Sequence, residues 1–416
     1  MKINKNNFVL ILFCIYSFLT PLGMMVKFGN EEGSLGITTY ILLFIILISF
    51  NSVITSVFKS KLLISIFLLI MWLIFASIFS YDIILSLFSG LTLLLYLAAA
   101  SISKEILYSN NRIFIVFLFF CIGGLISSTA TIIDFFGIVK IPGINENSVG
   151  TSTELGNILQ ASGPFARRSA MAVYYTMIIT IGFLYAIFIN NKSKFYRLLF
   201  FISALNCLVA LLLTHNRSGV VSAFLIVFSL IFILEKKFIN KLKLVLYILL
   251  VIILFVFFII NFIPDVWNAY QALFRIGNVV SANNSLEESD TLRIELFQHS
   301  LQNLTQNPFG NGYGLISKMN NFEDGLIDPH NIITQIIWGA GLFGFIWVIY
   351  FGYNFIKFSI NIFKFHNKLP IDKTIFVLLG ALISFFVVGM MHTIISTGMM
   401  WIFFGCYLHL GNKIKN

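Results

Sequence analysis

The chain alternates between long apolar runs and short polar connections over most of its length. An α-helix rises 1.5 Å per residue, so about 18 to 25 apolar residues cross a hydrocarbon layer about 30 Å thick. Runs of this kind cover residues 8–26, 35–57, 62–80, 83–103, 113–136, 169–190, 197–214, 217–234, 242–262, 331–356, 374–392 and 395–411. The pattern therefore predicts an all-α, polytopic integral membrane protein of about twelve transmembrane helices.

Composition agrees with that prediction. Of the 416 residues, 58% are hydrophobic and 11% are charged, which leaves too little polar surface to cover a soluble globule. The first run follows a basic N-terminal stretch and lacks a small-residue cleavage site, so we interpret it as a retained anchor. The cysteines fall inside runs without paired spacing and are expected to be packing residues: Cys14, Cys121, Cys207 and Cys406.

Basic residues are shared unevenly between alternate connections. With the N-terminus inside, the inner connections hold 19 of the 27 Lys and Arg residues but only three of the 17 acidic residues. Because membrane insertion retains positive charge in the cytoplasm, this side and both termini are predicted to be cytoplasmic. The net charge of +10 is thus a signal of topology. Anionic lipid head groups suit the basic loops, and no nucleic-acid partner is expected.

Five of the seven arginines oppose this bias and fall on the predicted outer side. Charges kept there usually hold a negative group, and a guanidinium suits phosphate because its planar fork donates two hydrogen bonds. These arginines are Arg167, Arg168, Arg217, Arg275 and Arg293.

Two predicted outer connections are long enough to fold. The first covers residues 137–168, and the second, 263–330, is a partly helical loop domain between helices nine and ten. The chain therefore divides into helices one to nine (1–262), this loop domain, and helices ten to twelve (331–416). Within the loop domain, Asp290 or Thr291 is predicted to cap a helix of about four turns on the membrane face of the protein. Its apolar repeat is Ile294, Phe297, Leu301 and Leu304.

Asn307-Pro308 is predicted to end this helix, and the glycine-rich run 310–314 is predicted to turn with unusual backbone angles. The chain then returns to the membrane through residues 328–331. This path puts His330 at the mouth of the tenth span.

Four features together resemble the superfamily of O-antigen ligases and Wzy-type O-antigen polymerases. They are Thr-His-Asn-Arg-Ser-Gly at 214–219, Arg293 in the loop helix, Asn-Pro-Phe-Gly-Asn-Gly-Tyr-Gly at 307–314, and His330-Asn331 followed by Gly-Ala-Gly-Leu-Phe-Gly at 339–344. The motifs lie between about residues 200 and 350, and the number of spans extends the resemblance to the whole chain.

The resemblance implies a metal-independent, inverting glycosyltransferase of the GT-C type in the bacterial inner membrane, acting without a cofactor. Its donor would be an oligosaccharide on undecaprenyl diphosphate at the periplasmic face. A polymerase passes that glycan to the non-reducing end of another lipid-linked repeat, and a chain-length-regulating co-polymerase is then a further partner. A ligase passes it to lipid A-core. Arg217-Ser218-Gly219 and the run ending at Gly314 favour the polymerase.

By this resemblance, Arg217 and Arg293 hold the diphosphate as its negative charge develops. Other interpretations stay open. Arg217 at the start of a span also reaches lipid head groups by snorkelling. Arg293 also suits a solvated helix face, paired with Glu288 or Glu295.

His330 is the predicted general base, because a neutral imidazole accepts a proton near neutral pH. A structural helix cap formed by the turn at 328–331 is the alternative. Asp328 is predicted to orient the imidazole. Weaker candidates for contact with diphosphate or sugar are His215, His299, Asn331, Arg167, Arg168 and Arg275.

A flippase or exporter of lipid-linked sugars is the alternative from a different class. Transporters place ionisable residues at mid-membrane along a path between both faces. Here the span interiors are nearly free of charge and the polar residues gather on one side. This distribution favours an enzyme.

Overall fold

A computed structural model describes residues 4–26, 37–80, 82–141, 149–152, 156–159, 161, 163–165, 168–188, 193–214, 216–235, 239–243, 283–313, 331–366, 373–389 and 398–415, together with a few positions between 246 and 261. These residues form α1 (Lys5–Leu19), α2 (Ile37–Phe58), α3 (Lys61–Ala76), α4 (Ile83–Ile106), α5 (Asn110–Phe135), α6 (Arg168–Phe188), α7 (Lys194–Leu213), α8 (Arg217–Leu234), α9 (Asn283–Gln306), α10 (Ile332–His366), α11 (Thr374–Gly389) and α12 (Gly398–Lys415). Short 3₁₀ segments, Thr20–Val26 and Ser77–Phe79, follow α1 and α3.

The all-α membrane fold is confirmed. Eleven of the twelve predicted runs carry a helix, and the remaining run, 242–262, lies mostly outside the described residues. In the described part of the chain, eight helices are long and apolar enough to cross a membrane, and α8 and α11 include shorter apolar helices. One detail was not predicted: the connection between α5 and α6 holds an antiparallel hairpin of β1 (Val149–Ser152) and β2 (Gly156–Leu159).

Small residues let the helices approach closely. A side chain at Gly182 of α6 would meet Ala204 of α7 at 2.7 Å, and one at Gly123 of α5 would collide with the Phe18 carbonyl of α1. Close packing of this kind replaces the hydrophobic driving force that helices lack inside lipid. The four cysteines are buried and free, as predicted.

Contacts between α6, α8, α10 and α11 fix which helix ends lie together. The Thr180 and Ser384 hydroxyls, 2.7 Å apart, join α6 to an antiparallel α11. Thr176 in α6 donates to the Gly219 carbonyl (3.3 Å), so α8 begins near the start of α6. The last residue of α11, Gly389, lies against Ile332 at the start of α10. The starts of α6, α8 and α10 therefore share one end of the bundle, called here the α6–α8–α10 end.

Candidate functional site

Two of the predicted arginines are the first residues of neighbouring helices. Arg168 begins α6 and Arg217 begins α8. A side chain at Gly219 would lie 3.3 Å from the Ala172 Cβ, so the first turn of α8 contacts α6 about one turn after Arg168. Helix N-termini carry unpaired N–H groups and partial positive charge, which attract anions. Two such termini side by side favour a phosphate-bearing ligand.

The link between α7 and α8 is held by its own polar groups. The Thr214 hydroxyl donates to the Leu211 carbonyl (2.6 Å) and accepts from the Asn216 N–H (3.1 Å). Asn216 then caps α8, its Oδ1 accepting from the Gly219 N–H (3.0 Å) and the Ser218 hydroxyl (2.8 Å). Such a cap stabilises a helix by about 1 kcal/mol. The backbone position of Arg217 is therefore fixed locally.

The end of the connection between α5 and α6 packs onto α7 and α6. The Ala161 N–H donates to the Leu213 carbonyl at the end of α7 (3.0 Å). Phe165 is buried and stacks on Tyr174 of α6, with ring centroids 5.1 Å apart. Gly163 has φ of 58° and fits where a side chain would meet Met171 at 2.8 Å. This segment fixes the chain just before Arg168.

Asn331 caps α10. Its Oδ1 accepts from the backbone N–H groups of Ile333 (2.7 Å) and Thr334 (3.4 Å). The structural alternative of a helix cap in the turn at 328–331 is thus confirmed for Asn331. Its role in substrate binding stays a prediction.

The glycine-rich run has the predicted unusual backbone. α9 ends at Gln306, just before Asn307-Pro308 as expected. Gly310 and Gly312 have φ of 85° and 77°, in the left-handed region that favours glycine. Gly341 breaks α10 with φ of 58° and ψ of −140°. The helix is therefore kinked between residues 332–340 and the longer part that follows.

This run binds the break in α10 through its backbone. Three hydrogen bonds join residues 308–312 to 338–342: Leu342 N–H to Pro308 O (2.9 Å), Asn311 N–H to Trp338 O (3.1 Å) and Gly312 N–H to Gly339 O (2.9 Å). A Cβ at Gly310 would collide with the Gly339 carbonyl. The two glycine motifs are therefore halves of one structural unit, which fixes the loop domain to α10.

Sequence reasoning missed the part that α3 and α4 play in this unit. Trp72 of α3 donates through Nε1 to the carbonyls of Phe309 and Ala340, each at 3.1 Å. Gly312 lies against Ser77, just after α3, and Ser86, in the first turn of α4. The sequence offered one signal for this role of Trp72, since a tryptophan near the end of a span is commonly an interfacial anchor.

The predicted cap of α9 at Asp290 or Thr291 is wrong. α9 begins at Asn283 and has 24 residues, more than the predicted four turns. Leu286, Glu287 and Glu288 are good helix formers, so the helix already exists where the caps were expected.

The predicted apolar repeat of α9 is not the side that the helix buries. Leu296, Ser300 and Asn303 are buried, whereas Ile294 is 59% exposed and Phe297 is 39% exposed. In a soluble protein the apolar side would be buried. Exposed apolar positions are expected of a helix on the membrane face, and that location of α9 stays a prediction.

The inward side of α9 meets residues 332–340 of α10. The rings of His299 and Trp338 are 5.2 Å apart and tilted by 32°. Asn307 donates through Nδ2 to the Asn303 Oδ1 (3.1 Å). Burial lowers the pKa of His299 below its usual 6.5, so the imidazole is neutral at pH 7.

The structure thus brings the starts of α6, α8 and α10 together and packs α9 on α10. The Arg168, Arg217 and Arg293 positions lie on α6, α8 and α9. The other predicted site residues lie outside the described residues: His215, Arg167, Arg275, Asp328 and His330.

Comparison with known families agrees with the motifs. Residues 202–349 match the model of the Wzy_C family, described as O-Antigen ligase. The match covers α8, α9, the glycine-rich run and the break in α10, and it confirms the resemblance over this segment. No curated protein matches the chain. The protein is therefore a polytopic membrane protein in which residues 202–349 match the O-antigen ligase family model.

Proposed function

We propose that this protein is an O-antigen polymerase, a glycosyltransferase that extends a surface polysaccharide from undecaprenyl-diphosphate-linked repeats. The family match supports the general class. The observation that carries the proposal is the adjacent starts of α6 and α8, with Arg168 and Arg217 as their first residues, at the same end as the start of α10.

The proposed reaction needs a held diphosphate and a deprotonated acceptor. The acceptor hydroxyl attacks the anomeric carbon, the bond from that carbon to the diphosphate oxygen breaks, and the configuration inverts. Arg217 and Arg293 hold the charge that builds on the leaving diphosphate. His330 takes the hydroxyl proton. Arg167, Arg168, Arg275 and His215 contact the carrier, while Asp328 and Asn331 support the base.

The ligase reaction is the second candidate, because the matching family model carries that description. It uses the same donor chemistry and differs in its acceptor, lipid A-core. We place either reaction at the periplasmic face of the inner membrane, with both termini cytoplasmic. The loop domain at 263–330 then lies between helices nine and ten, and a chain-length-regulating co-polymerase accompanies a polymerase.

Transfer by the purified protein tests the mechanism. In nanodiscs with lipid-linked repeat, Arg217→Ala, Arg293→Ala and His330→Ala are each expected to abolish chain extension while insertion stays normal. Arg197→Ala is the matched control, since Arg197 is near the start of α7 and its Nε donates to the Ala186 carbonyl at the end of α6 (3.0 Å). Near-normal activity in a site variant removes that residue from the mechanism.

Gene deletion separates the candidate functions. After loss of a polymerase, gels show a single repeat on lipid A-core. Loss of a ligase leaves long chains on the carrier instead. Lipid-linked repeats that accumulate in the inner leaflet indicate a transporter and contradict the proposal.

A further inference from the structure

The contact between α9 and α10 is more polar than packing alone requires. We call it the α9 seam: His299 and Asn303 of α9, Asn311 of the glycine-rich run, and Trp338 of α10. Among residues 294–306, the part of α9 whose side chains the structure describes, Leu296 is the one fully buried apolar residue. A helix selected only for docking would bury more apolar surface here.

Three nitrogens of the seam are buried without a hydrogen-bond partner in the described part of the chain. They are Nε2 of His299, Nδ2 of Asn303 and Nδ2 of Asn311. The Asn303 Oδ1 accepts a hydrogen bond from Asn307. The Nδ2 of the same carboxamide has no partner among the described residues. Asn303 is 3% exposed, so bulk water does not satisfy it. Buried donors normally have partners, and three orphans in one contact need an explanation.

The hydrogen-bonding capacity of these groups indicates which kind of ligand they bind. Carboxamide nitrogens only donate, and a neutral imidazole nitrogen donates or accepts. Residues 332–340, which face α9, carry no charged side chain. An uncharged seam offers little to a phosphate but suits neutral oxygens. Sugar hydroxyls donate and accept, and acetamido carbonyls accept.

We propose that the α9 seam binds hydroxyl or acetamido oxygens of the lipid-linked oligosaccharide, an inference that rests on the proposed function. The three nitrogens are closed off in this structure, so the sugar enters as α9 moves away from α10. The weakly apolar contact permits that movement. Because position 293 is on the same helix, sugar binding also moves Arg293 relative to the α6–α8–α10 end.

Asn303→Leu tests the seam, since it keeps the side-chain size and removes the donor. We expect KM for the lipid-linked repeat to rise about fivefold, the loss of one hydrogen bond, with kcat changed less than twofold. The apparent Tm should change little, because removal of the unpaired buried donor offsets the loss of the hydrogen bond that the Asn303 Oδ1 accepts from the exposed Asn307. Gln302→Leu is the control, as Gln302 is exposed on the same turn of α9.

A lower Tm with unchanged KM would show a structural role for Asn303 and overturn the inference. If Asn303→Leu fails to fold, Asn311→Ala is measured in the same way. Binding of the free oligosaccharide, released by mild acid from the lipid-linked repeat, is followed by saturation-transfer NMR. Seam-dependent binding without transfer contradicts the proposed reaction alone. Transfer with unchanged KM and binding in the seam variants contradicts the seam alone.

Discussion

The indole N–H of Trp72 donates to two carbonyls that are far apart in sequence, those of Phe309 and Ala340, each at 3.1 Å. The indole ring also stacks between Phe309 and Phe343, with centroid distances of 6.2 and 5.0 Å. A single side chain of α3 therefore joins the glycine-rich run to the break in α10. The loop domain is thus fixed to the transmembrane bundle at a defined point.

Trp72→Phe should weaken this junction. The ring stacking is kept, but both carbonyls lose their donor, so we expect about 1 to 2 kcal/mol less stability and several-fold slower transfer. Trp347→Phe is the matched control. The indole of Trp347 donates to the Ser65 carbonyl (2.7 Å), nearer the start of α3 than Trp72. Trp347→Phe should lower the apparent Tm by a similar amount with little change in kcat. Equal losses of activity in both variants would contradict a special role for Trp72.

Gly341→Ala should be severely destabilising. Its φ of 58° and ψ of −140° suit only glycine, and a Cβ there would collide with the Pro308 carbonyl. Gly352→Ala, in the same helix, meets nothing within 4 Å and should be neutral or stabilising by up to about 1 kcal/mol. Size-exclusion profiles and apparent Tm of the two variants measure this. If Gly341→Ala behaves like Gly352→Ala, the break in α10 does not need glycine.

Local patterns predicted much of this architecture. Apolar run lengths identified the helices, and Asn307-Pro308 marked the end of α9, because both signals depend on neighbouring residues alone. The partner of the glycine-rich run was not predictable. Glycine shows that a backbone approaches something closely, but the Asn311 to Trp338 bond depends on tertiary packing.

In the candidate site, too, the features that depend on local sequence were predicted and those that depend on tertiary packing were not. Charge counting selected Arg168 and Arg217, and both begin helices at one end of the bundle. The side of α9 that the protein buries was not predicted, because amphipathicity identifies two faces without saying which one packs on the protein. Asn303 and Asn311 had no signal in one sequence, since isolated asparagines in a loop domain are normally solvated.

Substitutions of Asn216 distinguish two effects: the loss of the α8 cap and a change of charge at the proposed phosphate site. Asn216→Ala removes the Oδ1 that accepts from Gly219 and should lower stability by about 1 kcal/mol. Asn216→Asp keeps the cap but adds a negative charge beside Arg217, so Tm should hold while KM for the lipid-linked donor rises. Asn216→Ser keeps the cap without charge and should be near normal in both. A normal donor KM for Asn216→Asp would argue against a diphosphate at this helix start.

Arg217→Lys should not replace the arginine. One ammonium cannot donate the paired hydrogen bonds of a guanidinium fork, so we expect kcat/KM for lipid-linked donor to fall on the order of tenfold or more. Expression and apparent Tm should match the unaltered protein. Near-normal transfer by Arg217→Lys would indicate that position 217 needs only a positive charge, as a residue that snorkels to head groups does.

His299 should make the docking of α9 sensitive to acid. Burial lowers the pKa of His299 in the folded protein below the 6.5 of an unfolded chain. Unfolding or undocking then binds a proton, so the neutral imidazole's contribution is present above about pH 6.5 and is lost as pH falls below it. The facing residues 332–340 hold no charge, and Glu295 on α9 is exposed, so neither offsets the imidazolium.

Hydrogen exchange, corrected for its intrinsic pH dependence, should be faster in α9 at pH 5.5 than at pH 7.5, with α5 unchanged. His299→Gln should remove that difference, and a difference that persists in this variant would assign the effect to another group.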